Sequence, residues 1–179
     1  MAAAQRTVDG RIHIEIGYNQ PATNTEALEY TLKAVAQFDP VALAIEGRSP
    51  AAVLEPLLIE CQVQPTMTST ADLATACGGF LDDALQARLS HTGQQVLRDA
   101  AASCIKRELP GGGFAWQKQA GGSIAQLMAA TLSRFSLLTF GAPPKQSPPP
   151  LWDTPQRGRH EDDLDRALGP GKNIMTTPF

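Results

Sequence analysis

The chain has 179 residues, 42% hydrophobic and 18% charged, which is enough apolar material for one packed core with an appendage. Its formal net charge of −3 excludes a strongly basic body, so any contact with nucleic acid would need a local cluster of Lys and Arg. The start, MAAAQRTVDG, has no apolar signal segment and no stretch reaches membrane-span length, which predicts a cytoplasmic protein.

Residues 11–17 (RIHIEIG) alternate Ile12, Ile14 and Ile16 with His13 and Glu15, the period of a half-buried strand. Asp9-Gly10 is a hairpin turn signal, but only eight residues precede it, so the hairpin partner is expected to be missing. Thr23-Asn24-Thr25 supplies an N-cap, after which Leu28, Thr31, Leu32, Val35 and Phe38 recur at helical spacing as far as Asp39-Pro40. Residues 41–46 (VALAIE) are a continuous apolar run, as in a strand covered on both faces. A Gly-Arg-Ser-Pro turn, a short helix over 51–60 and a third strand over 62–68 follow, with Pro65 marking an edge or a bulge.

From Ser69-Thr70 a helix carries Leu73, Cys77, Phe80, Leu81, Ala84 and Leu85 on one stripe. A second is expected from about 93 to 109 on Val96, Leu97, Ala100, Ala101, Cys104 and Ile105. Gly111, Gly112 and Gly113 then read as a flexible connector, 114–118 as a short extended piece, and Ser123 as the cap of a last helix. That helix carries Ile124, Leu127, Met128, Thr131, Leu132, Phe135 and Leu138. Strands alternating with helices indicate an α/β layer fold with parallel pairing. After Gly141 the composition changes: APPKQSPPP (142–150) is a polyproline-type linker, and 151–179 is expected to be largely disordered. The acidic stretch EDDLDRAL (161–168) reads as solvated, or else as a docking peptide for a partner.

Chemistry-bearing residues are sparse. The glycine triplet lacks the Lys-Ser/Thr of a nucleotide-binding loop, and no nucleophile triad is recognisable. Cys61, Cys77 and Cys104 are widely spaced without a C-x-x-C pair, so Cys77 and Cys104 read as small buried hydrophobes rather than metal ligands. His13 falls on a strand's polar face, His91 in a turn where it caps or satisfies the core, and His160 beyond the ordered part. Glu46 is the suggestive acid: it ends an apolar strand ahead of a Gly turn, where ligands of open α/β sheets bind, although a surface or cap role competes with cation binding.

Three segments in order carry a family resemblance. FDPVALAIEGRSPAAVLEPL (38–57), TSTADLATACGGFLDDALQARLSHTGQQVLRDAAASCIKR (68–107) and FAWQKQAGGSIAQLMAATL (114–132) resemble the C-terminal nuclease domain of terminase large subunits from actinobacterial phages and prophages. The resemblance covers roughly residues 8–140. It implies an α/β, ribonuclease H-like mixed sheet flanked by helices and missing its opening strand or strands, over 1–141, followed by a Pro-rich tail over 142–179. It also implies an endonuclease that cuts concatemeric DNA during packaging in the bacterial host, with double-stranded DNA and other terminase and portal components as partners. Its cofactors would be two Mg2+ or Mn2+ ions, held about 3.5–4 Å apart by carboxylates.

Carried onto this chain, that pattern leaves gaps. The family's first catalytic Asp has no counterpart before Asp9. Glu46 matches the second acid and is the implied catalytic metal ligand, while the third position holds Gly121, Gly122 and Ser123. Asp82 matches a Phe-x-Asp position, but its helical phase makes it a surface residue, and Asp83 beside it is expected to be solvated. The expectation is a partial nuclease, weakly active or inactive alone. The alternatives are a non-catalytic prophage remnant or packaging-associated interaction module with a partner-binding tail, and an unrelated small α/β interaction protein.

Overall fold

A computed structural model describes residues 1–141; the linker and tail expected over 142–179, His160 included, lie outside the described residues. The hairpin expected to lack a partner is complete: β1 (Ala2–Arg6) runs antiparallel to β2 (Ile12–Ile16), with Ala2 opposite Ile16 and Arg6 opposite Ile12. Gly10, at φ 84°, makes the turn, and its N–H donates to the Thr7 carbonyl. The alternation in β2 is realised, with Ile12, Ile14 and Ile16 buried.

Helix α1 (Asn24–Phe38) starts on the expected cap, Thr23 and Glu26 forming a reciprocal capping box. β3 (Ala44–Glu46) and β4 (Thr66–Thr68) pair in parallel across a 3-10 turn (Pro50–Val53) and α2 (Leu54–Glu60). α3 (Thr70–Leu85) begins in a second capping box, Ser69 with Asp72, and leads to β5 (Leu89–Ser90), which lies parallel to β2. The described strands form three separate sheets: β1-β2-β5, β3-β4, and a final hairpin.

That hairpin corrects the long helix expected over 93–109. α4 (Gln95–Ala102) stops early, and β6 (Cys104–Glu108) pairs antiparallel with β7 (Phe114–Lys118). The Pro-Gly-Gly-Gly segment is its loop, not a free connector. Gly111, Gly112 and Gly113 all have positive φ, and Leu109 N–H donates to the Gly113 carbonyl at 3.1 Å. α5 (Ala125–Phe140) closes the described fold. Ser123 does not cap it in normal geometry: its hydroxyl lies 3.5 Å from the Ala125 amide.

Two apolar clusters form. The larger joins β1, β2, α3, α4, the β6-β7 hairpin and α5 around Ile14, Cys77, Phe80, Trp116 and Leu127. In it, Trp116 Nε1–H donates to Thr131 Oγ1 at 2.9 Å, satisfying the buried indole. The smaller joins α1, α2, β3 and β4 around Ile45, Leu54 and Leu58. α5 packs against β1, β2, β3, α3 and α4, so it touches the strands of both clusters.

Asp83, expected to be solvated, is buried, whereas Asp82 is exposed as its phase indicates. Asp83 Oδ2 accepts from Arg134 Nε and Nη2, each at 2.7 Å, tying α3 to α5. Gly79 leaves the space that the guanidinium fills, since a Cβ there would lie 2.6 Å from Arg134 Nη1. Removing one partner of a buried pair strands the other charge at a cost of about 3–5 kcal/mol, whereas an apolar replacement of both is often neutral. Asp83→Ala is therefore expected to lose about 3–5 kcal/mol in denaturant unfolding, with Asp83→Leu/Arg134→Leu recovering most of it. Asp82→Ala should change stability by under about 0.5 kcal/mol. Equal losses for Asp82→Ala and Asp83→Ala would contradict this packing.

Candidate functional site

The apolar run 41–46 ends at Glu46 because the chain must turn there. Gly47 N–H donates to the Thr68 carbonyl at 3.2 Å, and a Cβ on Gly47 would lie 3.1 Å from that oxygen. The Glu46 carbonyl accepts from Ser49 N–H at 3.0 Å and from Ser49 Oγ–H at 2.8 Å, which closes the turn. The Glu46 side chain is left half-buried at the end of β3.

It lines a groove of about 1180 Å³ bounded by β1, α1, the β3 segment and α5 along its length. Gly122 and Ser123, of the third position that the resemblance singled out, line the same groove. Within the third position Gly122 has no room for a side chain, since a Cβ there would lie 2.6 Å from Ser103 Cβ, whereas Gly121, at φ 79°, meets nothing within 4 Å. Asp82 is not part of this groove and stands exposed on α3. Asp39, in the left-handed C-cap of α1 (φ 42°), also lines the groove, at the other end of the segment leading to Glu46. Two hard cations need several converging oxygen ligands. Among the described residues no three His, Cys, Asp or Glu side chains converge in that way, so they do not make up a two-metal donor set.

Cys77 lies within the electrostatic reach of Glu46. Burial pushes its thiol up to about 11; the backbone N–H of Trp116 opposes the shift, and the charge of Glu46 adds to it. The expectation of a buried, inert thiol therefore holds for Cys77, and burial also raises Cys104. At pH 8, alkylation should consume the exposed Cys61 first, Cys104 more slowly and Cys77 only on unfolding. Because the folded value of Cys77 lies above its ordinary 9.0, its contribution to stability is complete below pH 9 and lost as pH rises through about 11. Cys77→Ala should flatten that alkaline loss; an unchanged slope, or native-state labelling of Cys77, would contradict the assignment.

The histidines serve the sheet and a turn. His13 Nδ1 lies 3.0 Å from Ser90 Oγ and Nε2 lies 2.8 Å from Glu15 Oε1, while Thr92 Oγ1–H donates to Glu15 Oε2 at 3.1 Å. This chain of contacts clips β5 and its following loop to the polar face of β2. Spacing alone did not show it, because Ser90 and Thr92 are remote in sequence. His91 is exposed and accepts the Gly93 N–H at 2.9 Å, a turn role rather than a core one.

Small mixed sheets flanked by helices make up an α/β fold consistent with the ribonuclease H-like one that the resemblance implied. The crystal structure of the HK97 bacteriophage large terminase matches 74% of this chain with a TM-score of 0.59 and 14% sequence identity. This chain spans 35% of the length of that protein. No protein-family model and no curated protein matches the sequence. No helix among the described residues is long and apolar enough to cross a membrane.

Proposed function

We propose that the chain is the nuclease part of a phage terminase large subunit of the actinobacterial type, catalytically incomplete by itself. The observation that carries this reading is the likeness of the fold to a large terminase, with Glu46 at the end of β3 on a groove also lined by the loop ahead of α5. In this reading the chain works in the bacterial cytoplasm on concatemeric double-stranded DNA, beside other terminase and portal components. Glu46 would be the catalytic ligand of Mg2+ or Mn2+, ions that lower the cost of charge on the reacting phosphate oxygens when bound. Asp82, exposed and outside the groove, is the weaker of the two acids carried over.

A second reading has its own support. Among the described residues no three His, Cys, Asp or Glu side chains converge on a metal site, which favours a non-catalytic prophage remnant or packaging-associated interaction module. Plasmid DNA incubated with Mn2+, with the chain alone and with the remainder of a terminase large subunit supplied, separates the two. The nuclease reading expects at most weak nicking by the isolated chain, lost in a folded Glu46→Ala variant and kept in Asp82→Ala. Nicking untouched by Glu46→Ala would remove Glu46 from the site, and absence of Mn2+-dependent cleavage even with the remainder of a large subunit supplied would favour the non-catalytic reading.

A further inference from the structure

Charge is unevenly placed on the described residues. The β6-β7 hairpin, residues 104–118, carries three cations, Lys106, Arg107 and Lys118, against one acid, Glu108. The other described residues carry seven cations against twelve acids, so the hairpin is a basic element on an acidic body. All three of its cations are exposed, and none lies within 4.0 Å of a carboxylate oxygen among the described residues. Arg11, Arg88 and Arg134, by contrast, each hold an aspartate. A ligand that met the hairpin cations would therefore have no ion pair to break.

The backbone adds donors on the same strand. Leu109 N–H donates to the Gly113 carbonyl (3.1 Å) and Gln119 N–H to the Ser103 carbonyl (2.9 Å), so the odd-numbered residues of β6 bond to β7. The N–H groups of Lys106 and Glu108 are thus left on the outer edge, which pairs with no other described strand. β6 is exposed from Ile105 to Glu108, whereas β7 is anchored: Ala115 and Trp116 are buried, and the Trp116 indole is bonded to Thr131 of α5. Lys106 is further restrained by its Nζ, which sits 4.8 Å from the centroid of the Phe114 ring. At the base of the hairpin Lys118 lines the groove that Glu46 also lines, so the basic surface runs up to the candidate site.

We propose that the β6-β7 hairpin holds the phosphate backbone of double-stranded DNA through Lys106, Arg107 and Lys118, with the outward N–H groups of Lys106 and Glu108 as further donors. Side-chain cations and backbone N–H groups are the usual partners of phosphate oxygens. A duplex suits the surface better than a single strand, because single strands are held by aromatic rings on which bases stack. Here Trp116 is buried and Lys106 sits over Phe114. That the duplex is DNA rests on the reading of the chain as a terminase nuclease part; the binding itself needs no metal and no cut. Glu108 is the one acid on the hairpin and opposes the phosphates.

The test uses the purified 179-residue chain and a short fluorescein-labelled DNA duplex, in EDTA, with anisotropy read across a salt series. Three phosphate contacts predict a slope of about −2.7 in log K against log salt. Lys106→Gln, Arg107→Gln and Lys118→Gln should each weaken binding at low salt and reduce the steepness of that slope by about one. Lys33→Gln, an exposed cation of α1, should change neither. Glu108→Gln should tighten binding, a gain that a misfolded variant cannot imitate. Absence of salt-dependent binding by the chain overturns the proposal, as does an equal loss in Lys33→Gln or tighter binding to the single strand of the same sequence. Because EDTA removes metal, a failure of Glu46 as a metal ligand leaves this result standing, and a failure of binding here leaves the Glu46 test open.

Discussion

One helix holds the described fold together. α5 lies against β1 and β2 from the larger cluster and against β3 from the smaller, while β1 and β3 share no backbone bond. Its position is set from within the core by Thr131, which accepts from Trp116, and by Arg134, which donates to Asp83. These contacts are directional and buried, where an unpaired group costs more than a bond returns. They fix the rotation of α5, and with it which stripe of the helix faces the groove.

The candidate site inherits this dependence. Glu46 is delivered by β3 and the loop at Gly122 by the approach to α5, so the groove they both line requires α5 to sit correctly on both clusters. The same arrangement explains why a chain with enough apolar residues for one core leaves Phe38 and Val41 exposed. Their surface faces a space bordered by open strand edges. Chemistry and incomplete packing therefore share one location, and the charge of Glu46 extends from it to the buried Cys77.

Much of this was legible in the sequence. The period-two isoleucines marked β2, the Thr23 and Ser69 caps marked α1 and α3, and the apolar run ending at Glu46 marked β3. β1 was not, because Ala2, Ala3 and Ala4 carry no strand preference and pair only by virtue of the partner across the Gly10 turn. The β6-β7 hairpin was hidden because Cys104 and Ile105 fall in helical phase with Val96, Leu97 and Ala100. The Asp83–Arg134 pair had a signal that residue type obscured: Asp83 follows Phe80 by three positions, and Arg134 follows Thr131 by three. Both charges lie on the buried stripes of their helices. The closeness of Gly122 to Ser103 had no local signal at all, since it arises from the packing of the loop before α5 on the end of α4.

The central claim is that, among the described residues, β1 is an open edge facing the groove, with its backbone bonds to β2 on alternate residues. Amide exchange along β1 in the chain by itself tests this most directly. The account predicts slow exchange at Ala3 and Gln5, whose partners are Glu15 and His13, and fast exchange at Ala2, Ala4 and Arg6. Uniform protection along the strand would contradict it, because a closed edge would leave no groove beside Glu46.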